Sequence, residues 1–539
     1  MKPQNLLETL RSPHASFFTS QETSKWVQRA QSGIHDYEKQ IQQLRTKQAI
    51  LKRDMACYSS LSSPIRKLPS EILRRIFGFA SGQNSFGYPL GWRSPAFTLS
   101  SVCSRWREIA LGSSEIWSNI GVSFEDRAMY PLKLALGRSR NHPLTLHVDG
   151  GSYTYGYNDE DDAKLEAYFR VLTDHCTRWR ELDFSEALYT LGAMTGGHET
   201  PLLESVTCGG PNLYGLFTRE LSRTPNLTDV SYYFPDVRYV DLERLYAAFP
   251  WQTMRHLTME YDKQDTLDGI LELLQKGTDL QSLVYNGTTS SLDADGRYVA
   301  YQTTKSGRTK EEECIVSRIS SLTIDMQGPE GFYQIVQDLL NSLVLPFLTC
   351  LDMQCLCFTY GDHFQTSWPR QALSECLEHS GCNLTTLRLS GIPLSDSDVG
   401  SLLQHSPSIH TFALREFLAE EESPKEKPHR TVTKSLLKRL CGRMVSDDVF
   451  SVQHPLLTKL TFLRLEVKSS FDADKEFVDL IKSRWTKPDG DDSSCTIKRL
   501  RTVEFHVERK LSAIIYEPLK WIDSDGMMIS VFGDSERVV

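Results

Sequence analysis

Asp159-Glu160-Asp161-Asp162 sets four carboxylates side by side, donors a hard cation would accept. The run leads into an apolar-periodic stretch from Ala163, where acids suit a helix N-terminus, so a solvated helix start accounts for it. His175 beside Cys176 pairs a base with a thiol, the parts of a nucleophilic catalyst. Adjacent residues on a helix point to different faces, which argues against a dyad. Gly209-Gly210-Pro211-Asn212-Leu213-Tyr214-Gly215 is glycine-rich, but Pro211 breaks it and no capped helix follows, so it reads as a turn. The twelve cysteines include no C-x-x-C pair; Cys355-x-Cys357 is too close for a zinc knuckle, and Cys376 with Cys382 lacks a second ligand pair. Lys498-Arg499-Arg501 is a basic cluster too short to outweigh a net charge of −9. There is no H-E-x-x-H, no G-x-x-x-x-G-K-[ST] and no G-x-S-x-G. No catalytic residue, metal site or cofactor is expected.

The elements that could position other functions are therefore binding elements. At 539 residues the chain exceeds one core, so two or more domains are expected. A net charge of −9 excludes a general nucleic-acid binder and a binder of acidic membranes. Met1-Lys2-Pro3-Gln4-Asn5 opens without a secretory h-region, and the most apolar run, Leu339 to Leu351, is broken by Asn341, Ser342, Pro346 and Thr349. No membrane span is expected. Scattered, unpaired cysteines suggest reduced thiols, hence a cytoplasmic or nuclear protein.

The organising stretch is Ile65 to Ile120. Pro69 suits a first helical turn, and Ile72, Leu73, Ile76, Phe77 and Ala80 follow at helical spacing. Val102, Trp106, Ile109 and Ala110 form a second stripe, with Trp117 beyond. Two short amphipathic helices carry more apolar surface than they can bury on each other, so the rest of the chain or a partner must cover the excess.

These residues resemble an F-box. The family's Leu-Pro-x-Glu-Ile-Leu-x-x-Ile-Phe opening stands at Leu68 to Phe77, its Val-Cys-x-x-Trp-Arg helix at Val102 to Arg107, and its later Trp at Trp117. Ser81 to Pro95 is longer and richer in Gly and aromatics than the family's usual connection, which leaves the path between the helices open. The resemblance implies that Leu68, Pro69, Ile72, Leu73, Ile76, Phe77, Val102, Trp106 and Trp117 bury against a Skp-type adaptor. Trp106 and Trp117 could equally pack the F-box's own core.

Before that stretch, residues 1–23 are polar and expected to be disordered. Residues 24–60 are expected to form a coiled-coil-like helix, because Val27, Ala30, Ile34, Tyr37 and Ile41 begin an alternation of three and four. Leu44, Gln48, Leu51, Met55 and Tyr58 continue it, with Gln48 the one polar lapse. The seam either self-associates through residues 27–58 or packs back on the same chain.

After the F-box, assigned to 61–120, the template apolar-x-x-apolar-x-apolar recurs from Trp179-Leu182-Phe184 to Leu500-Val503-Phe505. Its spacings of 24, 24, 27, 26, 39, 29, 36, 25, 51 and 40 include values within the leucine-rich-repeat period. Helix-like segments such as Leu373-Leu377 and Phe477-Leu480-Ile481 lie between the templates. This resembles the irregular leucine-rich repeats of fungal F-box proteins. One departure is that Ile392 stands where the repeat's Asn would be, so less regular turns are expected. The competing fold is another α/β domain with Leu-rich strands.

The expected fold is thus α/β. An N-terminal coiled-coil-like helix and helical F-box lead into a leucine-rich-repeat solenoid with a curved parallel sheet over 121–510. Loops are inserted near 286–313, 420–430 and 487–494, and 511–539 serves as a cap. The resemblance implies a substrate receptor of an SCF-type ubiquitin ligase, joined through the adaptor to a cullin and a RING subunit. The protein target would lie on exposed strand positions, of which Arg255, His256, Asp352, Arg388, His410, Arg464 and Arg501 are examples. The alternatives are a non-degradative interaction scaffold whose F-box recruits no cullin, and an enzyme of unrecognised class in the repeats.

Overall fold

A computed structural model describes residues 11, 20–87, 93–123, 127–149, 159–184, 199–209, 224–234, 250–261, 271, 274–288, 314–327, 332–356, 370–416, 431–441, 456–485, 497–534 and 536–539. The three loops expected near 286–313, 420–430 and 487–494 lie almost wholly outside these residues, as do most of residues 1–23 and the helix expected at Ile270–Leu274. The chain divides into two units, Met1–Phe79 and Ala80–Val539.

The first unit is helical. Helix α1 runs Ser20–Leu61 without a break, starting within the stretch expected to be disordered. A 3-10 turn at Pro64–Lys67 follows, then α2, Ser70–Ala80, whose last residue falls in the second unit. The Pro64 ring cannot continue the preceding helix.

The second unit is built on a sixteen-stranded sheet whose strands join in chain order. Its first members are β1 (Asn84–Phe86), β2 (Asn119–Ser123), β3 (Leu144–Asp149), β4 (Trp179–Phe184), β5 (Ser205–Gly209), β6 (Asp229–Phe234), β7 (His256–Tyr261) and β8 (Ser282–Thr288). A two-stranded sheet of β9 (Ile315–Val316) and β11 (Leu343–Val344) flanks β10 (Ser321–Gln327) in sequence. The main sheet continues through β10, β12 (Cys350–Leu356), β13 (Thr386–Ser390), β14 (Thr411–Arg415), β15 (Phe462–Val467), β16 (Thr502–Val507), β17 (Met528–Gly533) and β18 (Glu536–Arg537). Neighbours pair parallel from β1 to β17, and only β18 turns back. Parallel neighbours need crossover connections, and helices supply them where those connections are described, for example Arg370–Ser380, Asp396–His405 and Asp474–Trp485. This mixed helix and parallel-strand architecture is common ground with the expectation. Residues 511–539, expected as a cap, add a helix, Ala513–Ser524, and two more strands to the end of the same sheet.

Each template puts its second and third apolar residues on a strand, and where their side chains are described these are buried in the core. In β13, Leu387 and Leu389 are buried while Arg388 between them is exposed. The first apolar residue, two positions before the strand, is buried as well, as at Leu348, Leu384 and Leu460. The template's next position supplies an unexpected bond. The carbonyl of Thr349 accepts the N–H groups of Thr385 (2.8 Å) and Thr386 (2.9 Å) and also the Thr385 hydroxyl (3.0 Å). Hydroxyls of Thr228, Ser320, Thr349 and Thr461 reach the preceding repeat's carbonyl in the same way. This hydroxyl and N–H ladder satisfies the backbone just before the strands, while Ile392, beyond the other end of β13, is buried. Gly391 closes the turn after β13 at φ +65, where a Cβ would lie 2.2 Å from the Cys355 carbonyl oxygen.

Near the end of the sheet, Phe477 stacks on Phe505 at 4.1 Å and Tyr516 lies 6.2 Å from Phe505. Arg484, one residue before the end of helix Asp474–Trp485, is buried, and among the described residues it makes no ion pair. Its guanidinium donates instead to the carbonyls of Leu440 (2.8 Å), Leu457 (2.9 Å) and Leu456 (2.6 Å). Desolvation pulls its pKa down to about 10. Arg484→Met is expected to strip the buried Leu440, Leu456 and Leu457 carbonyls of a donor, leaving Leu457 with the Leu460 N–H alone, and to destabilise the second unit by about 2 kcal/mol or more, read as a loss in the denaturation midpoint.

Candidate adaptor-docking helix and the outward face of the sheet

Helix α2 is short, and its two apolar rows have different fates. The Leu73 N–H closes the first turn on the Pro69 carbonyl at 3.1 Å. Leu73 and Phe77, four residues apart, are fully buried in the chain. Ile72 (45% exposed), Ile76 (38%) and Phe79 (83%) fall at i, i+4 and i+7 on another face, with exposed Pro69 just ahead of them. Arg75 lies 5.9 Å from the centroid of the Phe79 ring. Leu68 is half-buried.

In the second unit, helices Pro95–Ser101 (α3) and Ser104–Gly112 (α4) follow an Asn-centred knot. The fully buried Asn84 side chain donates to the carbonyls of Ile116 (2.8 Å) and Asn119 (3.1 Å), and accepts from the Ser94 hydroxyl (2.7 Å) and the Ala96 N–H (3.2 Å). The long Ser81–Pro95 connection is thus where the sheet begins, since Asn84 stands on β1. Ser94 also caps α3 through the Phe97 N–H. Trp117 is fully buried, donates Nε1–H to the Ala110 carbonyl at 2.8 Å, and meets the Phe97 ring edge-on at 5.0 Å. The Arg138 guanidinium lies 4.5 Å from the Trp117 ring centroid. Val102 is 57% exposed, and Trp106 is half-buried.

The nine residues grouped from sequence are therefore sorted by the structure. Leu73, Phe77 and Trp117 are fully buried within the chain, and Trp117 takes the second of the two places left open for it, the F-box's own core. Pro69, Ile72, Ile76 and Val102 remain available. Phe79 was missed, although its 72–76–79 spacing was legible.

The outward face of the sheet carries the other candidates. Parallel register sets Asp352 beside Arg388, then Ala413, Arg464 and Glu504 across β12 to β16. Arg388 approaches the Asp352 carboxylate at 3.4 Å. Glu466, two residues on from Arg464, takes Arg464 Nε at 2.8 Å and Arg415 Nε at 3.2 Å, while Arg464 also meets Glu504 at 3.3 Å. Beyond them His506 stacks on Phe532 at 4.6 Å. A cavity of about 420 Å³ opens there, lined in part by Arg415, Glu466, His506, Glu508, Phe532 and Asp534. Arg255, His410 and Arg501 stand just before their strands, and His256 opens β7. So Asp352, Arg388 and Arg464 share one row, while those four line the edge and do not join them. Sequence missed Arg415, Glu466 and Glu504, whose meeting depends on lateral register. Among the described residues, no group of three or more His, Cys, Asp or Glu could hold a metal ion, and no helix is long and apolar enough to cross a membrane.

Comparison with known families decides the nature of the helical stretch. Residues 65–123 match the F-box-like family. The chain carries an F-box-like domain. No curated protein matches the chain. Among solved structures, one similar chain comes from the crystal structure of the Rad7 and Elc1 complex in yeast, at 14% identity and a TM-score of 0.28, covering 71% of this chain and 89% of that one. The match ends on β2, so the F-box-like segment and the start of the sheet share residues.

Asp325 shares the outward face with Asp352. Its carboxyl is held above the ordinary range, first by burial and then by the Asp352 charge. A raised folded value stabilises the fold below the unfolded carboxylate value, and that contribution is lost as pH climbs through the folded one. Thermal unfolding across pH 3 to 7 should show this loss, and Asp325→Asn should remove its share of the slope.

Proposed function

We propose that this chain is the substrate-recognition subunit of an SCF-type ubiquitin ligase. Its F-box-like domain docks on a Skp-type adaptor, the adaptor brings the cullin and RING subunit, and the chain itself performs no catalysis. The carrying observation is the exposed apolar row Ile72, Ile76 and Phe79 on a helix whose other row is buried, within a segment that matches the F-box-like family. An amphipathic helix with such anchors fits a hydrophobic groove on a partner. Val102 is a separate candidate contact on the second unit.

The sheet and its crossover helices are the target-holding part, and the recurring template reads as an irregular leucine-rich-repeat array. The charged row from Asp352 to Glu504 is the surface offered to the target. Its cations and anions largely neutralise one another, so shape and hydrogen-bonding pattern select the target more than net charge does.

Co-purification with a Skp-type adaptor tests the reading. Ile72→Asp with Ile76→Asp should lower adaptor recovery more than tenfold while leaving the melting temperature of the purified chain nearly unchanged, since both positions are already exposed. Undiminished recovery from the folded variant would refute adaptor docking. Phe77→Asp is unsuitable, because it places a charge in the core. If the adaptor binds but no cullin follows, the chain is a scaffold and not a ligase receptor.

A further inference from the structure

Helix α1 has no cover on its seam. Numbering the heptad from Val27 puts Val27, Ile34, Ile41, Gln48 and Met55 at position a and Ala30, Tyr37, Leu44, Leu51 and Tyr58 at d. Every one of these residues is exposed, and the large apolar ones range from 49% at Ile41 to 75% at Tyr58. A single helix does not keep so long an apolar seam in water without a partner. The one polar a residue, Gln48, specifies register.

We propose that α1 pairs with α1 of a second copy of this chain as an antiparallel two-stranded coiled coil. Flanking charges choose the orientation. In a parallel pair, position g meets e of the partner's next heptad. That sets Lys47 against the partner's Lys52, a like-charge contact made twice by symmetry, and sets Gly33 against the partner's Glu38 and Asp54 against the partner's Ser59. No attractive pair results. In an antiparallel pair centred between Gln42 and Gln43, e meets e and g meets g. Glu38 then faces the partner's Arg45, again twice. Trp26, 59% exposed at g, covers the partner's Leu61, 63% exposed at g. In the core Ile41 packs on the partner's Leu44, and the Gln48 amide meets the partner's Tyr37 hydroxyl, which gives the one polar a residue a hydrogen-bonding mate.

The pairing has a consequence for the docking helix. Forty-two residues span about 60 Å at 1.5 Å per residue. Helix α2 follows the C-terminus of α1, so an antiparallel pair carries its two F-box-like segments on opposite ends, roughly that far apart. One dimer then presents two separate docking helices, which raises avidity for a multivalent target.

Sedimentation of the purified full-length chain at low micromolar concentration is expected to give twice the 61.4 kDa chain mass. Ile34→Glu with Leu44→Glu should give the monomer while adaptor recovery is unchanged, which separates this inference from the adaptor reading. Glu38→Arg alone or Arg45→Glu alone should weaken dimerisation about tenfold, and the two together should restore it. In a Cys57→Ser background, Tyr37→Cys with Gln48→Cys should form a disulfide between copies on oxidation, and Gln48→Cys alone should not. A monomeric wild-type chain at tens of micromolar, a charge swap without effect, or self-crosslinking by Gln48→Cys alone would each overturn the proposal.

Discussion

Lateral register is the constraint on which the second unit rests. Parallel strands added in chain order place the same template position of successive repeats side by side, so a row of Leu faces the helices and a row of polar residues faces outward. A slip of one residue in any strand would turn its leucines to water. The edge bonds oppose such a slip. Edge carbonyls such as that of Thr349 are held by two N–H groups, and at five places among the described residues a Ser or Thr hydroxyl joins them. Each such exposed bond contributes only about 0.5 to 1 kcal/mol, but the ladder repeats it across the sheet.

That register also composes the outward face. Charges separated by tens of residues meet because their strands are neighbours, as Arg415 and Arg464 do on Glu466. Pairs so exposed add little stability, so their worth lies in a fixed pattern of donors and acceptors. Where pairing fails, a cost appears: Asp325 Oδ1 is buried without a hydrogen bond, and its carboxyl resists ionisation.

The F-box-like segment shows how little sequence separates core from surface. Ile72 and Leu73 are neighbours of the same chemical kind, yet one is 45% exposed and the other fully buried. Successive helix residues point about 100° apart, so both rows look apolar in the sequence while only one can face inward. The buried Asn84 gives the reverse case. A polar residue in a Gly/aromatic insert proves central, because its amide satisfies two carbonyls, a hydroxyl and an N–H at once.

Periodicity alone determined a good deal. The three-four alternation from Val27 to Tyr58 lies on one continuous helix, and the eleven templates fall on or against strands of a parallel sheet, because helix and strand geometry are local and write their periods into the chain. The Leu68 to Phe77 and Val102 to Arg107 motifs were equally legible, being short and ordered. Tertiary structure decided the rest. Which apolar row of α2 is covered, that Trp117 closes on Ala110, that Arg484 ties three carbonyls from 27 to 44 residues away, and that the last segment extends the sheet all depend on which distant backbone comes near. No local period encodes that proximity, since it is set by packing among residues the chain holds far apart.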